Sequence, residues 1–99
     1  MKKPVILAPL AKHDLVSIAS FTRSAWGEKQ RRAYMNDLAS CVRALGAMPG
    51  MGRSRDELKP GWRSILCRSH LFLYVEHADK VEVLRIVHGS QDIDAIAES

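Results

Sequence analysis

Residues 62–88 read WRSILCRSHLFLYVEHADKVEVLRIVH, the part of the chain densest in strand-forming residues. Three apolar runs, Trp62 to Arg68, His70 to Glu76 and Val81 to Val87, are separated by a very short break at Ser69 and by His77-Ala78-Asp79-Lys80. Runs of this length, rich in β-branched and aromatic residues and bounded by turn residues, are strands, and breaks this short join antiparallel neighbours. The stretch therefore predicts an antiparallel meander. In its last strand Glu82 and Arg85 interrupt an otherwise apolar sequence, so both faces should be largely covered. Strict alternation puts Val81, Val83, Arg85 and Val87 on one side and Leu84 and Ile86 on the other. If Leu84 and Ile86 meet the rest of the domain, an apolar surface centred on Arg85 points outward. Soluble domains seldom leave such a patch bare, so a partner is expected on it.

Upstream the period changes. Leu15, Ile18, Thr22 and Ala25 recur at three- and four-residue steps, which predicts an amphipathic helix starting near Leu10. Trp26-Gly27 interrupts it. A second helix is predicted from about Glu28 to Leu45, with Tyr34, Leu38, Cys41 and Leu45 on one stripe, widened by Met35 and Val42. Glu28 in its first turn suits the positive end of the helix dipole. Two helices joined at one glycine form an antiparallel hairpin. Gly46, Pro49, Gly50 and Gly52 then end the second helix and open a loop to about Gly61. At the other end of the chain, Pro4 to Pro9 is short, apolar and bounded by prolines, as suits a strand at a sheet edge. Beyond Gly89, residues Asp92 to Ala97 allow one short helical turn. The order βααβββ predicts an α+β domain, a helical hairpin packed on an antiparallel sheet of three or four strands.

At 99 residues the chain has room for a single core, so residues 1–99 are read as one domain. No apolar stretch approaches the ~20 residues of a membrane span and no cleavage pattern follows one, so a cytoplasmic location is expected. Fifteen Lys and Arg against eleven Asp and Glu give +4, which favours phosphate backbones or an acidic protein partner. The basic residues cluster: Arg53, Arg55, Lys59, Arg63 and Arg68 face only Asp56 and Glu57 over the same stretch. This cluster is the best candidate for contact with an anion.

Other chemistry is thinly represented. Cys41 and Cys67 show neither metal-ligand spacing nor a disulfide framework, and are expected as reduced core thiols. His13, His70, His77 and His88 make no helical His pair and have no carboxylate at ligand spacing, so neither a metal nor a cofactor is expected. No serine lies in a nucleophile elbow, and Gly50-Met51-Gly52 does not precede a helix as a phosphate-cradling loop would. His88, at a strand end near Arg85, could exchange protons in phosphodiester cleavage, although such a histidine more commonly fixes the following turn. Trp26 and Trp62 bracket the connections between layers and are expected as core or hinge anchors. Tyr34 and Tyr74 are expected to serve packing.

The order of motifs is more specific than composition. Ala11-Lys12-His13-Asp14-Leu15-Val16-Ser17-Ile18 is followed by Phe21-Thr22, Trp26-Gly27, Gln30, Tyr34 and Leu38. Next come Pro49-Gly50-Met51-Gly52-Arg53-Ser54-Arg55-Asp56-Glu57-Leu58 and Pro60-Gly61-Trp62-Arg63-Ser64. Arg68-Ser69-His70-Leu71-Phe72-Leu73-Tyr74 leads to Val83-Leu84-Arg85-Ile86-Val87-His88-Gly89 and Asp92-Ile93. In this order and spacing the chain resembles the ParE branch of the RelE/ParE toxin superfamily, the toxin halves of bacterial type II toxin–antitoxin pairs. The resemblance covers nearly the whole chain and implies the same strand, helical hairpin and curled antiparallel sheet. Many relatives have Arg-His at the start of the middle strand, where this chain has Arg68-Ser69-His70.

The resemblance implies a non-enzymatic toxin that inhibits DNA gyrase by trapping it on cleaved DNA and is neutralised by a ParD-like antitoxin. DNA would be met only indirectly, through the antitoxin's own DNA-binding domain. On this reading Val83, Arg85 and Val87 meet the antitoxin, while Arg53, Arg55, Arg63, Arg68 and the C-terminal turn meet the gyrase. The related RelE branch implies an alternative, ribosome-dependent cleavage of messenger RNA, for which Arg63, Arg68, Arg85 and His88 would be the working set. The tail after Gly89 carries three acids and no Tyr, His, Lys or Arg, which opposes an RNA strand. A toxin decayed into an antitoxin partner or co-repressor is the third reading.

Overall fold

In the computed structural model, which describes residues 2–98, the chain begins with strand β1 (Val5–Leu7). Pro9 then opens helix α1 (Pro9–Trp26), where its missing N–H costs nothing and its fixed φ suits the first turn. Gly27 has φ +92°, a conformation that glycine alone adopts without penalty. Its N–H donates to the Arg23 carbonyl at 2.9 Å and its own carbonyl accepts from Arg31 N–H at 3.0 Å, so one residue closes α1 and opens helix α2 (Glu28–Ala47). A 3₁₀ turn (Pro49–Met51) leads to β2 (Arg53–Ser54), then β3 (Trp62–Cys67), β4 (His70–Glu76), β5 (Val81–His88) and a short C-terminal helix α3 (Ile93–Glu98).

The sheet order is β1-β5-β4-β3-β2. The meander β3-β4-β5 is antiparallel as expected, whereas β1 pairs parallel with β5, Val5 opposite Val81 and Leu7 opposite Val83. Two helices lie between β1 and the other strands along the chain, so its direction is not fixed by a hairpin. The two-residue β2, opposite Ser64 and Arg63, brings the sheet to five strands, one more than the sequence pattern suggested. A two-residue strand has no alternation to read.

Helices α1 and α2 cover one face of the sheet. Ala11, Ile18, Leu38 and Leu45 meet Phe72, Tyr74, Val81, Val83 and Ile86 in one core, where each fully buried large side chain contributes roughly 1.5–3 kcal/mol. Tyr74 is fully buried, and its hydroxyl donates to the Pro49 carbonyl at 2.7 Å and accepts from Gly52 N–H at 2.9 Å. A side chain at Gly52 would press on that hydroxyl and come within 2.9 Å of the Ser64 carbonyl oxygen, so only glycine fits this turn.

Strict alternation along β5 fails at one point. Leu73 pairs with Arg85 but Tyr74 pairs with Val83, leaving Leu84 as an extra residue, a β-bulge that shifts the phase by one. Val81 and Val83 therefore lie in the core beneath the helices with Ile86 and are not the outward surface that alternation implied. Val87 is buried outside that cluster, as is Leu73. Leu84 and Arg85 instead line a hollow with Ile96 and Ala97 of α3 and with Trp62. The expectation of a bare apolar platform at Val83, Arg85 and Val87 is thus corrected, because the bulge turns Val83 inward and the chain's own elements bury Val87.

The bulge is held from α1. Asp14 accepts a hydrogen bond from Ile86 N–H at 2.8 Å, where β1 no longer pairs with β5, and takes the Arg85 guanidinium at 2.8 and 3.1 Å. The fork geometry is the strong form of this pair. It also raises the pKa of Arg85 above its ordinary value.

Cys41 and Cys67 form a disulfide joining α2 to β3, with Cα atoms 6.4 Å apart, which corrects the expectation of two reduced thiols. Sequence spacing could not disclose the pair, because a helix stripe and a strand end meet only in the fold. The bond closes a 26-residue separation, which in the chain-entropy account stabilises the fold by about 3 kcal/mol. Reduction, or the double substitution Cys41→Ser/Cys67→Ser, should lower Tm by roughly 10–20 °C in a thermal melt. An unchanged melt under reducing conditions would show that the bridge does not form.

Candidate functional site

Three features of α2 clasp the turn between β3 and β4. Tyr34, Asp37 and Cys41 lie three and four residues apart, on one side of the helix. The Tyr34 hydroxyl accepts from Ser69 N–H at 3.1 Å, Asp37 pairs with Arg68 at 3.4 Å, and Cys41 is bonded to Cys67. Arg68 has φ +57°, a left-handed conformation that costs a non-glycine residue roughly 1–2 kcal/mol. The Asp37 contact and the face of Tyr34, 5.6 Å from the guanidinium, offset that cost.

Beside this turn opens a cavity of about 550 Å³, between the tip of the helical hairpin and the end of the sheet. Phe21 and Trp26 of α1, Tyr34 of α2, Arg68 and His70 at the hairpin turn and His88 at the end of β5 line it. Trp26 is 72% exposed, so it is not the core or hinge anchor the sequence suggested. It sits where α1 ends and the chain turns back, past the last core position of that helix, Thr22. Trp62 is half-buried and lies under the Lys59 ammonium at 5.1 Å.

The polar groups of the cavity form one network. Tyr34 Oη lies 2.6 Å from His70 Nδ1, and the His70 and His88 rings meet edge-on at 5.6 Å. Burial, followed by the neighbouring His88, holds the pKa of His70 below its ordinary 6.5, with Asp14 acting weakly in the opposite direction. His88 does fix the following turn: its Nδ1 accepts from Ser90 N–H at 3.2 Å, and its backbone N–H donates to Gln91 at 2.9 Å. Tyr34 thus has a polar role beyond packing. The helical stripe located it, but its partners on a distant hairpin were invisible to the sequence.

The basic residues divide into separate places. Arg53 is exposed on β2, and Arg55 and Arg63 stand beside it, Arg55 Nε donating to Ser64 Oγ at 2.7 Å and Arg63 Nη1 to the Gly52 carbonyl at 2.8 Å. Arg68 lies five positions further along than Arg63, about 16 Å at the rise of a strand. Arg85 is committed to Asp14. Of the set Arg63, Arg68, Arg85 and His88, the first and third do not line this cavity and the other two do. Asp94 and Glu98 of the acidic tail border a different hollow with Glu57 and Lys59.

Comparison with known proteins gives a consistent result. The family model described as ParE toxin of type II toxin-antitoxin system, parDE, matches residues 5–93. Toxin ParE1 of Mycobacterium tuberculosis is 33% identical over 95 residues, covering 95% of this chain and 97% of the relative. Toxin ParE1 of Caulobacter vibrioides is 31% identical over 93 residues, covering 94% and 96%. A solved structure titled Chromosomal ParDE TA system from P. aeruginosa superposes with a TM-score of 0.76 at 18% identity, covering 88% of this chain and 96% of the other, and so shares the fold.

The lowered pKa of His70 has a defined sign. The unfolded chain takes up a proton near pH 6.5, before the folded one does, so this contribution to stability is present above pH 6.5 and is lost as pH falls through the folded pKa. Proton NMR should show the His70 ring titrating with a midpoint below 6.5, and Tyr34→Phe should cost about 1 kcal/mol by removing two hydrogen bonds. A His70 midpoint above 6.5 would contradict this geometry.

Proposed function

Because the chain belongs to the ParE toxin family of type II toxin–antitoxin systems, we propose that it binds and poisons DNA gyrase and is itself neutralised by a ParD-like antitoxin. Gyrase acts in the cytoplasm, and the toxin would act there. The observation that carries this reading over messenger RNA cleavage is the dispersal of the residues cleavage would need. Arg63 is bonded to the Gly52 carbonyl and Arg85 to Asp14, and neither lines the cavity that holds Arg68 and His88. Phosphodiester cleavage requires cations and a proton-transfer pair around one phosphate. A protein-binding inhibitor requires only a surface.

For that surface the edge formed by β2 and β3 is the best candidate, since it carries Arg53, Arg55 and Arg63, with Arg53 exposed on the face of Ser64 and Arg63 on the opposite face. Arg68 stands apart from these three and is not part of the same patch. The antitoxin contact that the resemblance implies at Val83, Arg85 and Val87 is narrowed by the burial of both valines. Its remaining member, Arg85, borders the apolar hollow with Leu84 and Ile96, where an ordering antitoxin segment gains apolar contact.

Purified toxin should inhibit gyrase supercoiling, raise linear DNA in the cleavage reaction and leave tagged message intact in a translation extract. Arg53→Ala should weaken inhibition about tenfold if Arg53 is a central contact. Cuts in ribosome-bound message without any effect on gyrase would replace this reading with the nuclease. Inactivity in both assays with antitoxin binding retained would indicate the decayed toxin.

A further inference from the structure

The gyrase reading leaves the cavity at the tip of the helical hairpin without a role. Phe21 and Trp26 on its rim are 68% and 72% exposed, two large aromatic faces held out on one helix end. Exposed aromatic surface beside a cavity marks a place where something binds.

The opposite wall is rich in donors. The Tyr34 hydroxyl accepts from Ser69 N–H and has His70 Nδ1 as its acceptor among the described residues, so its proton goes to that nitrogen. In the neutral ring the remaining proton of His70 then sits on Nε2. At His88 Nδ1 the Ser90 N–H lies at 3.2 Å and the Ser90 hydroxyl at 2.7 Å; with the N–H donating to it, this nitrogen carries no proton and the neutral ring holds its proton on Nε2 as well. Neither Nε2 has a hydrogen-bond partner among the described residues. Arg68 adds a guanidinium that is half-exposed despite its pair with Asp37. Glu28, in the first turn of α2, is engaged by Arg31. The acids Asp94 and Glu98 of the tail, which opposed an RNA strand in the sequence, lie away from this cavity.

Aromatic faces next to cationic and N–H donors match one kind of occupant. Every nucleobase offers a flat face for stacking and every nucleotide a phosphate for the donors, and a few hundred Å³ suits a group of that size. An acidic peptide would satisfy the donors too, but it offers a flat ring only where its sequence happens to place one, whereas every nucleotide carries a flat base beside its phosphate. We infer that this cavity binds one unstacked nucleotide of a single-stranded nucleic acid, its base against Phe21 and Trp26 and its phosphate on Arg68, His70 and His88. The toxin would thereby touch a nucleic-acid strand directly, and not only through an antitoxin; with the proton of each neutral ring on Nε2, neither imidazole offers that nitrogen as the base that cleavage needs, so the site holds the strand without cutting it.

Fluorescence anisotropy with end-labelled octathymidylate, and with an abasic backbone of the same length at the same salt, tests this on the toxin alone. The base-bearing strand should bind about tenfold more tightly than the abasic one. In Phe21→Ala/Trp26→Ala that preference should fall to within about twofold, while Arg68→Gln weakens both strands through the phosphate contact. Both aromatic residues are exposed, so the double variant keeps its core, which circular dichroism verifies. Equal affinity for the two strands, or a preference that survives in the double variant, would overturn the inference by reducing it to the attraction of a +4 protein for any polyanion. So would no binding, or a Trp26-dependent response to an acidic peptide with none to the oligonucleotide. Since no topoisomerase is present, any of these outcomes leaves the gyrase reading standing.

Discussion

The carboxylate of Asp14 is the contact on which the arrangement of this domain turns. It sits on α1 with a side chain only 12% exposed, yet it serves β5, taking the Ile86 N–H and the Arg85 guanidinium together. It does so where β1 has stopped pairing, so a helix side chain replaces the missing strand neighbour. An unpaired N–H at a covered edge costs roughly 1–3 kcal/mol, and an unpaired half-buried guanidinium adds to that. The pair therefore holds the bulge at Leu84 in place. The bulge in turn sends Ile86 into the core and carries His88 round to the side of the helices, where it meets His70.

A second constraint acts from α2. Tyr34, Asp37 and Cys41 grip the β3–β4 turn by a hydrogen bond, an ion pair and a covalent bond. Together the two helices fix both ends of the cavity wall, α2 holding Arg68 and His70, and α1 holding the strand that ends in His88. The cavity is thus tied by side-chain contacts on its sheet side, while Phe21 and Trp26 on its other side are exposed. Interactions that could have been redundant for stability are thus arranged to position polar groups.

Much of the fold was legible in the sequence because its signals are local. The helix periods, the glycine at 27, the cluster of Gly and Pro at 46–52 and the three apolar runs each mark an element within a few residues of its observed bounds. The direction of β1 was not legible, since two helices intervene and no turn dictates it. Nor was the bulge at Leu84, because one extra residue in a strand leaves no compositional trace while reversing every face beyond it. That single residue moved Val83 from the proposed docking surface into the core. The disulfide and the Tyr34–His70 contact join positions 26 and 36 residues apart, and nothing in either segment names its partner. Arg53, Arg55 and Arg63 lie on the neighbouring strands β2 and β3 or just beyond β2, whereas Arg68, close in sequence, is carried away by the length of β3.

If Asp14 holds the bulge, its loss should move His88 out of the cavity, and proton NMR on Asp14→Ala reads this directly. The account predicts a cross-peak between the His70 and His88 rings in the unsubstituted protein and its disappearance in the folded variant. A cross-peak of undiminished strength in Asp14→Ala would contradict it, by showing that the end of β5 finds its place without the helix.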